Sequence, residues 1–121
     1  MPQWVVTAYD GSDAEALKRR MAARPAHLEQ IAPRVERGEI IVGGALLNEA
    51  GEMVGSVSVV EFATQAELDQ WLATDPYVTQ GVWQRIEVRP FRVAVARKRW
   101  KPQWGSGGHE WHITCCCWPL T

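Results

Sequence analysis

Residues 1–114 contain no cysteine, and the three cysteines of the chain are consecutive, at 115 to 117. An odd cluster of neighbours cannot staple a framework, so a disulfide-based fold is excluded and packing must hold the body together. No apolar run approaches the roughly 20 residues that cross a bilayer. The start Met1-Pro2-Gln3-Trp4 lacks the basic and apolar stretches of a signal peptide, so no membrane partner and a cytoplasmic location are expected. Basic residues are scarce in the body: residues 1–88 hold seven Lys/Arg against thirteen Asp/Glu, whereas residues 89–121 hold six Lys/Arg and one Glu. Phosphate contacts need a basic surface, which the body does not offer, so nucleic acid is not expected as its partner. Histidine is scarce as well, and His27 is the one histidine before residue 109.

What is present suits a single domain. The chain has 121 residues, 46% of them hydrophobic and 22% charged, enough for one core and too few for two. Gln3 to Tyr9 alternates as a strand, with Trp4, Val6 and Ala8 on one face. Ser12-Asp13-Ala14-Glu15 has the form of a capping box. It is followed at helical spacing by Leu17, Met21, Leu28, Ile31 and Val35, a run in which Pro25 is expected to kink one helix or start another. Gly38 is a plausible stop. Glu39 to Leu47 reads as a buried strand, and Met53 to Phe62 as an alternating one beyond a turn at Asn48 to Gly51. Thr64-Gln65-Ala66-Glu67 is a second capping box, opening a helix with Leu68, Trp71 and Leu72 inward and closed by Asp75-Pro76. Val82 to Val95 reads as a long last strand with a bulge or bend at Pro90.

The order β-α-β-β-α-β is the ferredoxin-like α+β arrangement: an antiparallel sheet with two helices on one face. The other face is left uncovered and partly apolar. Such a face usually finds a partner, and a homodimer packed sheet against sheet is the natural solution.

Two residues carry the most chemical promise. With the first helix taken as continuous, Arg20, Arg24 and His27 share one side at spacings of four and three. Asp75 stands just past the second helix, and a histidine brought to a carboxylate is the smallest unit that moves a proton near neutral pH. The arginines would draw an anion such as a carboxylate or phenolate. On pattern alone the same residues also read as an unremarkable surface histidine and a helix-ending Asp-Pro.

Four segments together resemble the YCII-related (YciI-like) family: Arg24-Pro25-Ala26-His27-Leu28, Gly38-Glu39-Ile40-Ile41-Val42-Gly43-Gly44-Ala45, Asp75-Pro76-Tyr77-Val78 with Gly81, and Val88-Arg89-Pro90-Phe91. The resemblance covers about residues 3 to 95. It implies a dimeric α+β barrel of ferredoxin-like subunits, with His27 and Asp75 in a cleft as catalytic residues and Arg24 and Tyr77 as substrate-binding ones. Where an activity is assigned in that family, it is loss of hydrogen chloride from small hydroxylated aromatics. The expected function is therefore a cofactor-independent enzyme acting on an anionic or phenolic small molecule by dehydrochlorinase-like or isomerase-like proton transfer. The alternative is a non-catalytic ligand-binding or accessory module.

Residues 97–121 fall outside the resemblance and are expected to form an extension to a 1–96 domain. They hold four of the seven tryptophans, and His109, His112, Cys115 and Cys117 lie within nine residues. Three readings stay open: an extension with little structure, a segment folded back over the dimer or cleft, and a zinc or copper site.

Overall fold

The computed structural model describes residues 1–97. The elements follow as β1 (Gln3–Asp10), α1 (Ala16–Glu36), β2 (Ile40–Leu47), β3 (Met53–Glu61), α2 (Gln65–Thr74), the single turn α3 (Pro76–Thr79) and β4 (Trp83–Phe91). The strands form one antiparallel sheet in the order β2-β3-β1-β4, which is the ferredoxin-like α+β topology expected from the sequence. Among the described residues, no helix is long and apolar enough to cross a membrane. The extension with His109, His112, Cys115 and Cys117 lies outside the described residues.

The alternation of β1 decides where the core sits. Trp4, Val6 and Ala8 are buried, and their cross-strand partners are Val60, Ser58 and Ser56 on β3 and Pro90, Val88 and Ile86 on β4. Opposed residues of an antiparallel pair project to the same face, so these rows form the floor on which the helices lie. Ala23, Leu68, Trp71, Tyr77, Val82 and Trp83 close the core from above. Val5 and Thr7 of β1 and Val57 and Val59 of β3 occupy the opposite face and are half-buried.

Of the two alternatives for Pro25, the start of a second helix does not occur. Pro25 and Pro33 both lie inside one unbroken 21-residue helix. Pro25 has no N–H for the Met21 carbonyl, and an interior proline costs about 3 kcal/mol. The helix persists because its inward face is held independently, by buried Ala16, Arg20 and Ala23. The apolar stripe of Leu28, Ile31 and Val35 lies beside that face; Leu28 and Val35 are 44% and 49% exposed.

The Ser12–Glu15 capping box does not form either. Glu15 occupies the N-cap without a side-chain cap bond, and Asp13 takes over the helix start. Its carboxylate accepts from the Glu15 N–H at 3.2 Å and its carbonyl from the Ala16 N–H at 3.1 Å. Arg19 binds the same carboxylate at 2.9 Å, and this hydrogen bond is the main reason that Asp13 titrates at about 2. Gly38, at φ 81°, ends the helix as expected.

Two strand expectations are also corrected. β2 is an edge strand rather than a buried one, with Val42 and Leu47 each 60% exposed. β4 ends at Phe91, short of Val95, and Pro90 pairs opposite Trp4 without a break. Since β4 is the other edge, the missing proline N–H leaves no neighbouring strand unsatisfied. The register shift lies at the other end, between Tyr9 and Asp10. Of the second capping box the N-cap half forms: Thr64 Oγ1 accepts from the Glu67 N–H at 3.2 Å.

Candidate functional site

The site grows from a short stretch around a proline. Pro76 denies helical geometry to the residue before it, so Asp75 is extended (φ −66°, ψ 134°) and α2 stops there. Pro76 itself suits a first helical position, and α3 starts at once. Asp75 therefore caps one helix and opens the next, with a side chain that is 1% exposed. Three N–H groups converge on its carboxylate: Tyr77 N–H at 2.9 Å, Trp71 Nε1–H at 3.1 Å and His27 Nδ1 at 2.8 Å.

His27 and Asp75, paired on sequence grounds, are thus in direct contact across 48 residues. A carboxylate held by two other donors can only accept, so the proton of this contact resides on Nδ1. The Nε2 atom then carries the lone pair of the neutral ring, and no hydrogen bond engages it among the described residues. The imidazole lies flat on the Tyr77 ring, with centroids 3.9 Å apart and planes 7° apart. Trp83 meets both rings edge-on, at 6.1 Å from His27 and 5.4 Å from Tyr77. Three contacts therefore fix the ring, and its side chain remains 15% exposed.

A second buried charge supports this stack. Arg20 and Asp10 form an ion pair at 3.0 Å with side chains 4% and 2% exposed. The guanidinium carbon lies 4.8 Å from the centre of the Tyr77 ring, and Nη2 donates to Ser56 Oγ at 2.8 Å. Trp83 Nε1 donates to the same oxygen at 3.2 Å. Burial raises the Tyr77 hydroxyl above its ordinary value, while Arg20 and Arg24 draw it partly back, so Tyr77 stays protonated at neutral pH.

These groups open onto a cavity of about 250 Å³ between α1 and the β2–β3 half of the sheet. His27, Arg24 and Tyr77 line it, whereas Asp75 stands behind His27 and does not. Leu28, Ile31 and Val35 supply its apolar wall, which gives the exposed stripe of α1 a role. The glycines of β2 keep the opposite wall low: a Cβ on Gly43 would come within 3.2 Å of Ser58 Oγ. Arg24 is exposed and makes no ion pair among the described residues.

Four contributors escaped the sequence reading: Ser56, Trp83, Asp10 and the second function of Trp71. Two of them carried a signal. Ser56 is a polar residue at an inward position of an alternating strand, and Trp71 lies four residues before Asp75, one helical turn away. Among the described residues no group of three or more His, Cys, Asp or Glu side chains is arranged to hold a metal.

The YCII-related domain family model matches residues 3–92. Protein YciI of Escherichia coli is 30% identical over 95 residues, covering 74% of this chain and 95% of that protein. The "derivative of benzaldehyde biosynthesis cluster protein C" of Emericella nidulans is 36% identical over 77 residues, covering 58% of this chain and 79% of that protein. Among solved structures, 5-chloro-2-hydroxyhydroquinone dehydrochlorinase of Burkholderia phenoliruptrix, in complex with 2,5-dihydroxybenzoquinone, superposes with a TM-score of 0.66. It is 22% identical, with 76% of this chain and 95% of that one covered, and supports the fold. The chain belongs to the YCII-related family.

Proposed function

We propose that this YCII-family chain is a small enzyme that moves a proton on a hydroxylated aromatic or similarly anionic small molecule, with His27 as general base. The observation that carries the reading is the 2.8 Å contact between His27 Nδ1 and a buried carboxylate, at the wall of a cavity that pairs an apolar side with Arg24, Ser56 and Tyr77. A base needs a fixed tautomer and a free lone pair, and both follow from Asp75 occupying Nδ1. Nε2 takes the proton of a ring hydroxyl, Asp75 steadies the imidazolium that forms, and Arg24 stabilises the oxyanion left behind. When the ring carries chlorine and a second hydroxyl, the chlorine-bearing carbon takes a proton to form a C–H bond, and loss of the second hydroxyl proton then drives the C–Cl bond to break, with loss of hydrogen chloride overall. Otherwise reprotonation at carbon gives an isomerisation. Neither route calls for a metal or an organic cofactor.

The cavity is smaller than the 300 Å³ or more typical of drug-sized ligands, which fits a one-ring compound. The ligand of the dehydrochlorinase, 2,5-dihydroxybenzoquinone, indicates the compound series to try first. We further propose that a second copy packs on the open sheet face, whose valines lie where no helix covers them.

A thermal-shift screen of small phenols and carboxylates, run in parallel on wild type and His27→Gln, tests the site. A ligand stabilises the native state in proportion to its affinity and concentration, so weak binders register. Hits should shift the wild type and fail to shift the variant. Turnover of those hits should fall by at least about 100-fold in His27→Gln, the usual worth of a positioned base. Hits that stabilise both proteins equally would move the site away from His27. Saturable binding without turnover at any pH would leave a ligand-binding module in place of an enzyme.

A further inference from the structure

The Ser56 hydroxyl has two lone pairs and one proton. Arg20 Nη2 donates to the oxygen at 2.8 Å and Trp83 Nε1 at 3.2 Å, which fills both lone pairs. Neither a guanidinium nor an indole N–H accepts a hydrogen bond, so the Ser56 proton cannot return to either partner. No acceptor takes it among the described residues. Ser56 is 7% exposed, and it lines the cavity together with His27. Arg20 stands behind it, with Nη1 engaged by Asp10 and Nη2 by Ser56, and with Nε closed to solvent and without a hydrogen-bond partner among the described residues. Buried donors are rarely left unpaired, and each such case asks for an explanation.

We propose that Ser56 is a specificity-determining residue that donates its hydroxyl proton to an acceptor oxygen of the ligand. Arg20 is the positioning residue that sets the hydroxyl rotor. The ligand class is a hydroxylated ring bearing a second, conjugated oxygen of carbonyl type. The inference rests on the proposed proton transfer at His27 and deepens it. As Nε2 takes the ring hydroxyl proton, the O–H bond breaks and an N–H bond forms. The electron pair left behind spreads through the ring to the conjugated oxygen. That oxygen gains negative charge where the Ser56 proton waits, which makes the pair a preorganised oxyanion site. Nothing is oxidised and no co-reactant is needed. A ligand with a donor at the same place would meet the Ser56 donor and be rejected, which is how a polar site discriminates.

Matched ligands test this on the full chain. Calorimetric titration compares 4-hydroxyacetophenone with 4-ethylphenol, and 3-hydroxyacetophenone with 3-ethylphenol. Each pair keeps the phenol ring and the two-carbon chain and exchanges the carbonyl group for a methylene. In Ser56→Ala the advantage of at least one ketone over its ethyl partner should shrink about tenfold relative to wild type, as expected for a lost hydrogen bond to a charge-bearing oxygen. The ethylphenol affinities should stay within about twofold, the margin expected of a group that makes no polar contact with them. Loss of equal size for ketone and ethyl compound, or no loss, would show that Ser56 serves packing alone and would overturn the proposal. Ser56→Ala also strips Arg20 and Trp83 of an acceptor, so Ser56→Cys provides a second readout. Its thiol is a weaker donor in the same place, and the ketone advantage should fall in the same direction. His27→Gln separates the two readings. If it weakens all four compounds while the Ser56 variants change no ratio, the Ser56 inference fails and the His27 site stands. If His27→Gln changes none of the four, the site reading fails, and the proposal built on it fails too. Absence of binding to wild type by all four compounds overturns the Ser56 proposal outright.

Discussion

Asp75 accepts three N–H donors with one carboxylate, and the consequences for His27 follow from that count. In Asp75→Asn the side-chain amide presents one acceptor and one donor to three donors. At least one bond is lost, at a cost of about 1–3 kcal/mol for a donor left buried. The amide can also donate to Nδ1, which would shift the ring proton to Nε2 and remove the lone pair facing the cavity. The expected result is a folded protein with a lowered Tm, loss of turnover of the same order as in His27→Gln, and a switched tautomer. Nitrogen chemical shifts of the His27 ring read the tautomer directly. Retention of the Nδ1-protonated form in a folded Asp75→Asn variant would show that Asp75 does not set it. At this scale the sequence was legible where a residue type has few uses. His27, Arg24 and Tyr77 line the cavity and Asp75 backs it. Ser56 and Asp10 were not legible. Serine and aspartate are common surface residues, and it takes Arg20, reaching from α1 to both β1 and β3, to make them part of the site.

Among the elements, local rules held where the chain controls its own ends and failed where neighbours decide. Thr64 caps α2 through its own hydroxyl, as its spacing to Glu67 foretold. The equally regular Ser12–Glu15 pattern is bypassed, because Asp13 is fixed by Arg19 and supplies the acceptor one residue later. These two capping boxes predict opposite behaviour. Thr64→Ala should lower stability by about 1 kcal/mol in urea unfolding, the usual worth of an N-cap. Ser12→Ala should change it by less than about 0.5 kcal/mol, as surface substitutions do. A larger effect at Ser12 than at Thr64 would contradict the assignment of the caps. The same logic explains the misread strands. The continuous apolar run within Glu39 to Leu47 says that the segment is extended, not how many neighbours it has, and only the order β2-β3-β1-β4 makes it an edge. Pro90 looked like a point of disruption and is harmless at the opposite edge, where its absent N–H faces no strand. Pro25 read as a kink or the start of a second helix. Its penalty is local, whereas the buried contacts of Arg20 and Ala23 before it and the packing of Ile31 after it are tertiary.

The molecule as a whole has one face finished and one open. All three helices lie over the rows of Trp4, Val6 and Ala8, leaving Val5, Val57 and Val59 half-buried and Val42 60% exposed on the side without helices. These valines are in register: Val5 pairs with Val59, and Val59 with Val42, so they form a continuous patch across β1, β3 and β2. A stripe of β-branched residues on a flat, twisted surface matches a second copy of itself, and a two-fold axis through the patch lets every residue meet its own counterpart region. Exclusion of water from both faces at once supplies the driving force. Light scattering coupled to size exclusion should therefore find the protein at twice the 13.6 kDa mass of one chain. Val59→Asp places a carboxylate at the centre of the patch, on the side away from the core row of Trp4, Val6 and Val60, so folding of the subunit should survive. Two such carboxylates would face a dry interface across the axis, and charges buried without partners are strongly destabilising. The variant should run at the single-chain mass at micromolar concentration, with an unchanged far-ultraviolet dichroism spectrum. A wild type already at the single-chain mass, or a Val59→Asp variant still at twice it, would assign the open face another occupant.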